Sequence, residues 1–253
     1  MLLEARGVDV GVPGRTLVAQ LDLALEPGNF VAVLGCNGCG KTLTLLTLAG
    51  LRPPAAGAVS LGGHSIENIG AAARARAIAL LPQDSDMWGT ATVFETVMVG
   101  RFAHGPAWGK NSADDATIVS EAIGRTGLAT LQQRATSTLS GGEQRRVAIA
   151  SVLAQCAPVA LLDEPTNHLD PQHAVAMLSL FAQHAAAGGA IVATLHDATL
   201  AARFASHVLL LFGDGRWEFG GIDALLSAGK LSQLYGTPIV EARAGERRLF
   251  AAG

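Results

Sequence analysis

Continuous apolar runs, rather than alternating ones, organise this chain. Residues 30–34, 159–162 and 190–195 are apolar or small at nearly every position, the pattern of parallel strands covered on both faces. Helical stretches separate them, so the pattern predicts an α/β core. Ahead of it, the short segments 21–25 and 58–61, punctuated by Pro13-Gly14, Pro27-Gly28 and Gly62-Gly63, predict a small antiparallel flank. Between Gln83 and Leu139 the pattern turns helical: 93–99 and 118–131 predict two helices joined by the Gly- and Pro-containing stretch 100–110, forming an inserted lobe. Residues 71–77 and 182–187 are alanine-rich and predict helix on propensity alone.

Composition narrows the function classes. At 49% hydrophobic and 15% charged, the chain can bury a sizeable core as one large domain or one domain with an inserted lobe. A net charge of -3 and the absence of any Lys/Arg-rich run leave no basic field for a phosphate backbone, so nucleic acid is not an expected partner. No run reaches the roughly 18 uninterrupted apolar residues of a membrane span, and Glu4, Arg6 and Asp9 stand where a signal peptide would be apolar. A cytoplasmic protein is expected. Three cysteines make no disulfide framework, and the seven histidines show no zinc-finger or H-E-x-x-H spacing.

The chemistry lies in three segments. Gly35-Cys36-Asn37-Gly38-Cys39-Gly40-Lys41-Thr42 directly follows a buried-type strand and directly precedes a helical run, the context a phosphate-binding loop requires. Its glycines let backbone N–H groups converge on β- and γ-phosphates, the helix start adds its positive end, Lys41 supplies a point charge, and Thr42 offers a hydroxyl for Mg²⁺. Asp163-Glu164 ends the strand 159–162; there Asp163 is placed to act on the metal side and Glu164 to polarise the attacking water. Leu169-Asp170-Pro171 then starts a helix, with Asp at the cap and Pro at the first position. Ser140-Gly141-Gly142-Glu143 fits a capping box. Its two glycines cost helix propensity, yet bare backbone at a helix start is also a good anion site. Cys36 and Cys39 form a C-x-x-C that reads either as small neutral filling or as a redox pair, with no thioredoxin-like context around it.

Taken in this order, 35–42, 139–143 and 163–164 resemble the ATP-binding subunits of ABC transporters, and the resemblance runs from about Leu2 to about Leu226. It implies a P-loop NTPase (RecA-like) core with an antiparallel β flank and an inserted helical subdomain. In domains, it implies an ABC ATPase over 1–230, with core segments 1–82 and 157–230, a lobe over 83–156, and a short extension over 231–253. The residues after His196 leave room for two short elements. The resemblance implies ATP and Mg²⁺ as cofactors, with Thr42, Gln83 and Asp163 on the metal, Glu164 as general base, Lys41 on the phosphates and His196 as the strand-end histidine that contacts the γ-phosphate. Gln83 would join core to lobe and sense the metal. Residues 140–143 would face the γ-phosphate bound by a second subunit, and Asp170 would lie in the loop that crosses to that subunit, so that a head-to-tail homodimer completes two sites.

The aromatic residue that stacks on adenine in this family has Val12 in its register here. Val99-Gly100-Arg101-Phe102, His104, Trp108 and the tail 234–238 resemble importers of ferric siderophores, haem and vitamin B12, with manganese/zinc importers and exporter or lipid-extraction systems as alternatives. The implied partners are a membrane permease, docked at the lobe near Met87 and Trp88, and indirectly an extracytoplasmic binding protein. The implied location is the cytoplasmic face of the cell's inner membrane, held peripherally. Soluble ABC proteins of DNA repair or the ribosome would carry long coiled coils or tandem cassettes, and a P-loop kinase would have no use for 139–143.

Overall fold

The computed structural model describes residues 1–83, 89–104 and 113–253. The hairpin β1 (Leu3–Val12) and β2 (Arg15–Leu25) turns at Pro13-Gly14, and β3 (Phe30–Leu34) then runs through a loop into α1 (Lys41–Leu48). Strands β4 (Ala56–Leu61) and β5 (His64–Ser65) return to the hairpin and complete an antiparallel sheet of order β2-β1-β4-β5. After α2 (Ala71–Ala77) and β6 (Ile78–Leu81) come α3 (Val93–Met98), α4 (Ala113–Arg125) and α5 (Gly141–Ala154). The chain re-enters the sheet through β7 (Val159–Leu162), α6 (Pro171–Ala186), β8 (Ala190–Thr194), α7 (Ala198–Phe204), β9 (His207–Leu211) and β10 (Trp217–Gly221). It closes with α8 (Ile222–Leu225), α9 (Ala228–Tyr235) and the hairpin β11 (Ile239–Ala244) and β12 (Arg247–Ala252).

The larger sheet has the order β10-β9-β3-β8-β7-β6, parallel except at its β10 edge. Its strands alternate faces, as the two-residue period of a strand demands. Phe30, Ala32, Leu34, Ala160 and Leu162 point into a core shared with α5, α6 and α7, whereas Val31, Val33, Val159 and Leu161 point into a second core shared with α1 and the antiparallel sheet. Burial on both faces is why these strands carry no polar alternation. A third cluster, including Val93, Val97, Val119, Ile123 and Val147, joins α3, α4 and α5. Helix α5 serves two cores, since Ile149 and Val152 face the large sheet.

The apolar runs emerge as β3, β7 and β8, and the flank segments fall within β2 and β4. Two expectations are corrected. Residues 118–131 are not one helix: α4 stops at Arg125, the chain turns at Gly127, and a separate 3-10 turn spans Ala129–Leu131. The cause is local, because Gly127 at φ 71 turns the chain so that the N–H groups of Gly127 and Leu128 close back on the carbonyls of Gly124 and Ile123; Arg146 Nη1 of α5 then donates to the carbonyls of Thr126 and Gly127 at 3.1 and 3.2 Å. The segment after His196 holds α7, β9, β10, α8, α9, β11 and β12 rather than two short elements. No described helix is long and apolar enough to cross a membrane.

Candidate active site

The carboxyl ends of four neighbouring parallel strands meet at one cleft, the usual ligand position in an open α/β sheet. β3 delivers the loop 35–42, β6 delivers Gln83, β7 delivers Asp163 and Glu164, and β8 delivers His196. The cleft holds about 520 Å³ and is lined by Asn37, Gly38, Gly40, Lys41, Thr42, Leu43, Gln83, Glu164 and His196, with Val12, Arg15 and Leu17 from the antiparallel sheet. Val12 therefore lies at the site, and no Phe, Tyr or Trp is among the described residues lining it.

The loop is arranged around a helix start left open. Gly40 precedes α1 at φ 106, a left-handed conformation that a side chain resists, and no described side chain caps the helix or places an acid in its first turn. By contrast, α3, α5 and α6 are capped by Thr92, Ser140 and Asp170. Uncapped N–H groups and a helix dipole make an anion site. Lys41 is buried, and its Nζ donates to the carbonyls of Gly35 at 2.8 Å and Cys36 at 3.2 Å, so the cation is folded onto the loop. Cys36 and Cys39 are free thiols that do not figure in the described lining. Cys36 is exposed and its Sγ donates to Leu234 O at 3.3 Å; Cys39 packs in the apolar core, and burial pushes its thiol up.

The acid pair is held from three sides. Thr194, fully buried in β8, accepts the Glu164 N–H at 2.7 Å and donates to Asp163 Oδ1 at 2.7 Å. Asp163 Oδ2 is buried with no described partner. Glu164 sits at φ 48, where a non-glycine residue persists only if its surroundings over-determine it. Its Oε1 lies 2.6 Å from His196 Nε2, and its Oε2 accepts a bond from Asn167 Nδ2. Behind it, the buried guanidinium of Arg145 donates to the carbonyls of Pro82, Gln83, Asp163 and Glu164.

The segment 140–143 and Asp170 do not line this cleft. Ser140 caps α5 as expected: its Oγ accepts the Glu143 N–H at 3.3 Å, while Glu143 Oε2 accepts the Ser140 N–H at 2.8 Å and the Ser140 hydroxyl at 2.9 Å, and these last two bonds hold the Glu143 carboxyl below its usual range. Asp170 Oδ1 accepts the His173 N–H at 2.8 Å, which likewise depresses its carboxyl. Gly142 abuts the intervening loop, since a Cβ there would stand 2.9 Å from His168 O. Arg101 pairs with Asp115 at 2.8 Å and donates to Ala154 O at 2.8 Å, and His104 Nε2 lies 2.7 Å from Gln155 O, so this stretch packs the lobe. Met87, Trp88 and Trp108 lie outside the described residues. Sequence reasoning missed Arg145, Asn167, Arg15 and Thr194. Of these only Thr194 left a signal, a lone hydroxyl inside an apolar strand.

Four strand ends converging on an uncapped helix start define a P-loop nucleotide-binding cassette, with an antiparallel flank and a helical lobe. The chain belongs to the ABC transporter family, whose sequence pattern matches residues 18–167. It is 38% identical to the cobalamin import ATP-binding protein BtuD of Halobacterium salinarum over 87% of this chain and 55% of that protein, so it spans about half that relative's length. It is 42% identical to the hemin import ATP-binding protein HmuV of Gloeobacter violaceus, covering 87% of this chain and 82% of that protein. It is also 35% identical to the ferric enterobactin transport ATP-binding protein FepC of Escherichia coli, covering 92% and 87%. Among solved structures, one described as an inward-facing transporter of metal-chelate type superposes with a TM-score of 0.86 at 26% identity, over 99% of this chain and 96% of that one. A dimeric bacterial ABC transporter cassette superposes at 0.76 and 25% identity, over 86% and 98%.

Proposed function

We propose that this chain is the ATP-hydrolysing subunit of an importer for a metal chelate, a ferric siderophore, haem or cobalamin, and that it works with Mg²⁺ as a homodimer. The observation that carries the chemistry is the Glu164–His196 pair facing the uncapped start of α1 across one cleft. Loop N–H groups from Asn37 to Thr42 receive the β- and γ-phosphates, and Lys41 exchanges the carbonyls of Gly35 and Cys36 for phosphate oxygens. Glu164 takes a proton from the attacking water as general base. His196 and Asn167, each bonded to one of its carboxylate oxygens, fix the direction of that carboxylate. The residues fit a nucleotide-borne cation, since Asp163 carries a buried oxygen without a described partner and Thr42 is exposed at the helix start. Thr42, Gln83 and Asp163 would hold Mg²⁺, which supplies charge neutralisation between the phosphates when bound.

The separation of 140–143 and Asp170 from the cleft supports a site completed by a second copy. Arranged head to tail, the start of α5 in one chain covers the γ-phosphate held by the other, and the loop at Asp170 runs along the contact. We assign 1–82 and 157–230 to the catalytic core, 83–156 to a lobe that docks a separate permease, and 231–253 to an extension. The permease receives its cargo from an extracytoplasmic binding protein, and the ATPase sits peripherally at the cytoplasmic face of the inner membrane. The substrate class rests on the relatives named for cobalamin, hemin and ferric enterobactin. Affinity purification of the tagged chain from membranes tests it: a polytopic permease and a binding protein that retains a metal chelate are expected. Recovery with a permease whose binding protein retains free manganese or zinc would overturn it.

A further inference from the structure

We infer that Arg145 is a positioning residue for hydrolysis, tying α5 to the backbone beneath Glu164 and Gln83 so that nucleotide-driven movement of α5 sets the place of the general base. This rests on the ATPase reading above. Arg145 is 4% exposed and lies in α5 two residues beyond the Ser140–Glu143 box. Its Nη1 donates to Pro82 O at 2.7 Å and Gln83 O at 3.0 Å, while its Nη2 donates to Asp163 O and to Glu164 O at 2.8 Å.

These carbonyls come in two consecutive pairs, one just past β6 and one just past β7. The two strands are paired up to Leu81 and Leu162, and Asp163 N–H still reaches Leu81 O. Beyond that point the ladder ends, and the carbonyls need other donors. A planar fork with two terminal amino groups can serve both pairs at once. A lysine ammonium, a single point with three donors, cannot.

The consequence falls on Glu164. Its peptide is fixed at φ 48 by three bonds: its N–H donates to Thr194 Oγ1, and its carbonyl accepts from Arg145 Nη2 and from the Asn167 N–H. One of the three, from Arg145, comes from the helix whose start carries the segment 140–143. Whatever that helix start contacts is therefore mechanically joined to the carboxylate by less than two helical turns, roughly 7–8 Å of rigid rod. Gln83 is tied to the same guanidinium, so the two cleft residues move with α5 together.

The test is Arg145→Lys and Arg145→Gln in the full chain, comparing steady-state ATP hydrolysis with equilibrium binding of a fluorescent ATP analogue in Mg²⁺. Binding should stay within about threefold of wild type, because Lys41 and the loop are untouched. Turnover should fall about 10- to 100-fold, the scale of a small misplacement of a catalytic group. In a Glu164→Gln background the lysine substitution should lower the residual rate less than about threefold, since the group it positions is already gone. Turnover within threefold of wild type in either single variant, parallel loss of binding and rate, or full additivity with Glu164→Gln overturns the inference. So does failure of both variants to fold, which would make the arginine a staple of the core rather than a positioning residue. A wild-type chain that neither binds nor hydrolyses ATP would instead overturn the functional reading itself.

Discussion

Replacing Thr194 with valine removes one hydroxyl from the centre of the acid pair while keeping the shape of the side chain. Thr194 is fully buried, and its Oγ1 accepts the Glu164 N–H and donates to Asp163 Oδ1, both at 2.7 Å. Valine leaves the Glu164 N–H buried without an acceptor, a cost of about 1–3 kcal/mol, and removes a bond to a carboxylate worth about 1.5–3 kcal/mol. The losses share one hydroxyl and are not additive, and an extra buried methyl returns about 1 kcal/mol. The net expectation is a destabilisation of about 2–4 kcal/mol. For a chain of this size each kcal/mol lowers Tm by about 2–4 °C, so the transition should fall by roughly 5–15 °C. Turnover should fall as well, because the Glu164 backbone at φ 48 loses one of its three fixing bonds, the one on its N–H. Thermal unfolding followed by circular dichroism, with phosphate release on the same samples, compares Thr194→Val with Thr194→Ser. Serine keeps the hydroxyl and loses only a methyl, about 1 kcal/mol. A valine variant as stable and as active as the serine variant would refute the claim that this hydroxyl holds the acid pair.

Three further outcomes are expected. With a small alkylating agent on the native chain, mass spectrometry should find Cys36 and Cys156 modified well before Cys39, whose thiol is buried and pushed up by that burial; equal rates would contradict the packing of Cys39. The chain's single tyrosine, Tyr235, should titrate near 12 in near-ultraviolet absorbance because burial favours the neutral phenol. Its folded value lies above the unfolded value of about 10, so its contribution to stability is complete below that pH and is lost as pH rises through the folded value; a midpoint near 10 in a still-folded chain would refute this. With Val12 and no described aromatic in the cleft, the stacking worth about 0.5–1.5 kcal/mol is missing, and ATP and GTP should be hydrolysed with efficiencies within about tenfold. A larger preference for ATP would show that another residue reads the base.

What could be read from the sequence was what is local in it. The loop 35–42, the acid pair 163–164 and the caps at Ser140 and Asp170 each carry their chemistry within a few consecutive residues. The strands β3, β7 and β8 announce themselves because burial on two faces leaves no polar position. Arg145 could not be found this way, since its partners Pro82 and Gln83 lie 63 and 62 positions away and are backbone atoms that any residue would supply. Asn167 gains meaning only because the turn after β7 brings it back onto Glu164. The end of α4 was misplaced although its signal is local: Gly127, in the left-handed region, closes the helix onto the carbonyls of Gly124 and Ile123. After His196 the strands β10, β11 and β12 are half-buried or exposed along much of their length, so they lack the apolar runs that marked the core strands.

The most direct test of the account is Glu164→Gln, which keeps the side chain's shape but removes its basicity. A positioned general base contributes about 10²–10⁴-fold in rate, so steady-state phosphate release should collapse by that order while ATP binding survives. With ATP and Mg²⁺ the variant should elute as a dimer in size-exclusion chromatography, and adding Ser140→Arg on the same chain should disperse it by blocking the neighbouring γ-phosphate. Near-normal turnover in Glu164→Gln, or an ATP-bound form that remains monomeric, would contradict a composite site in which Glu164 is the base and a second copy supplies the cover.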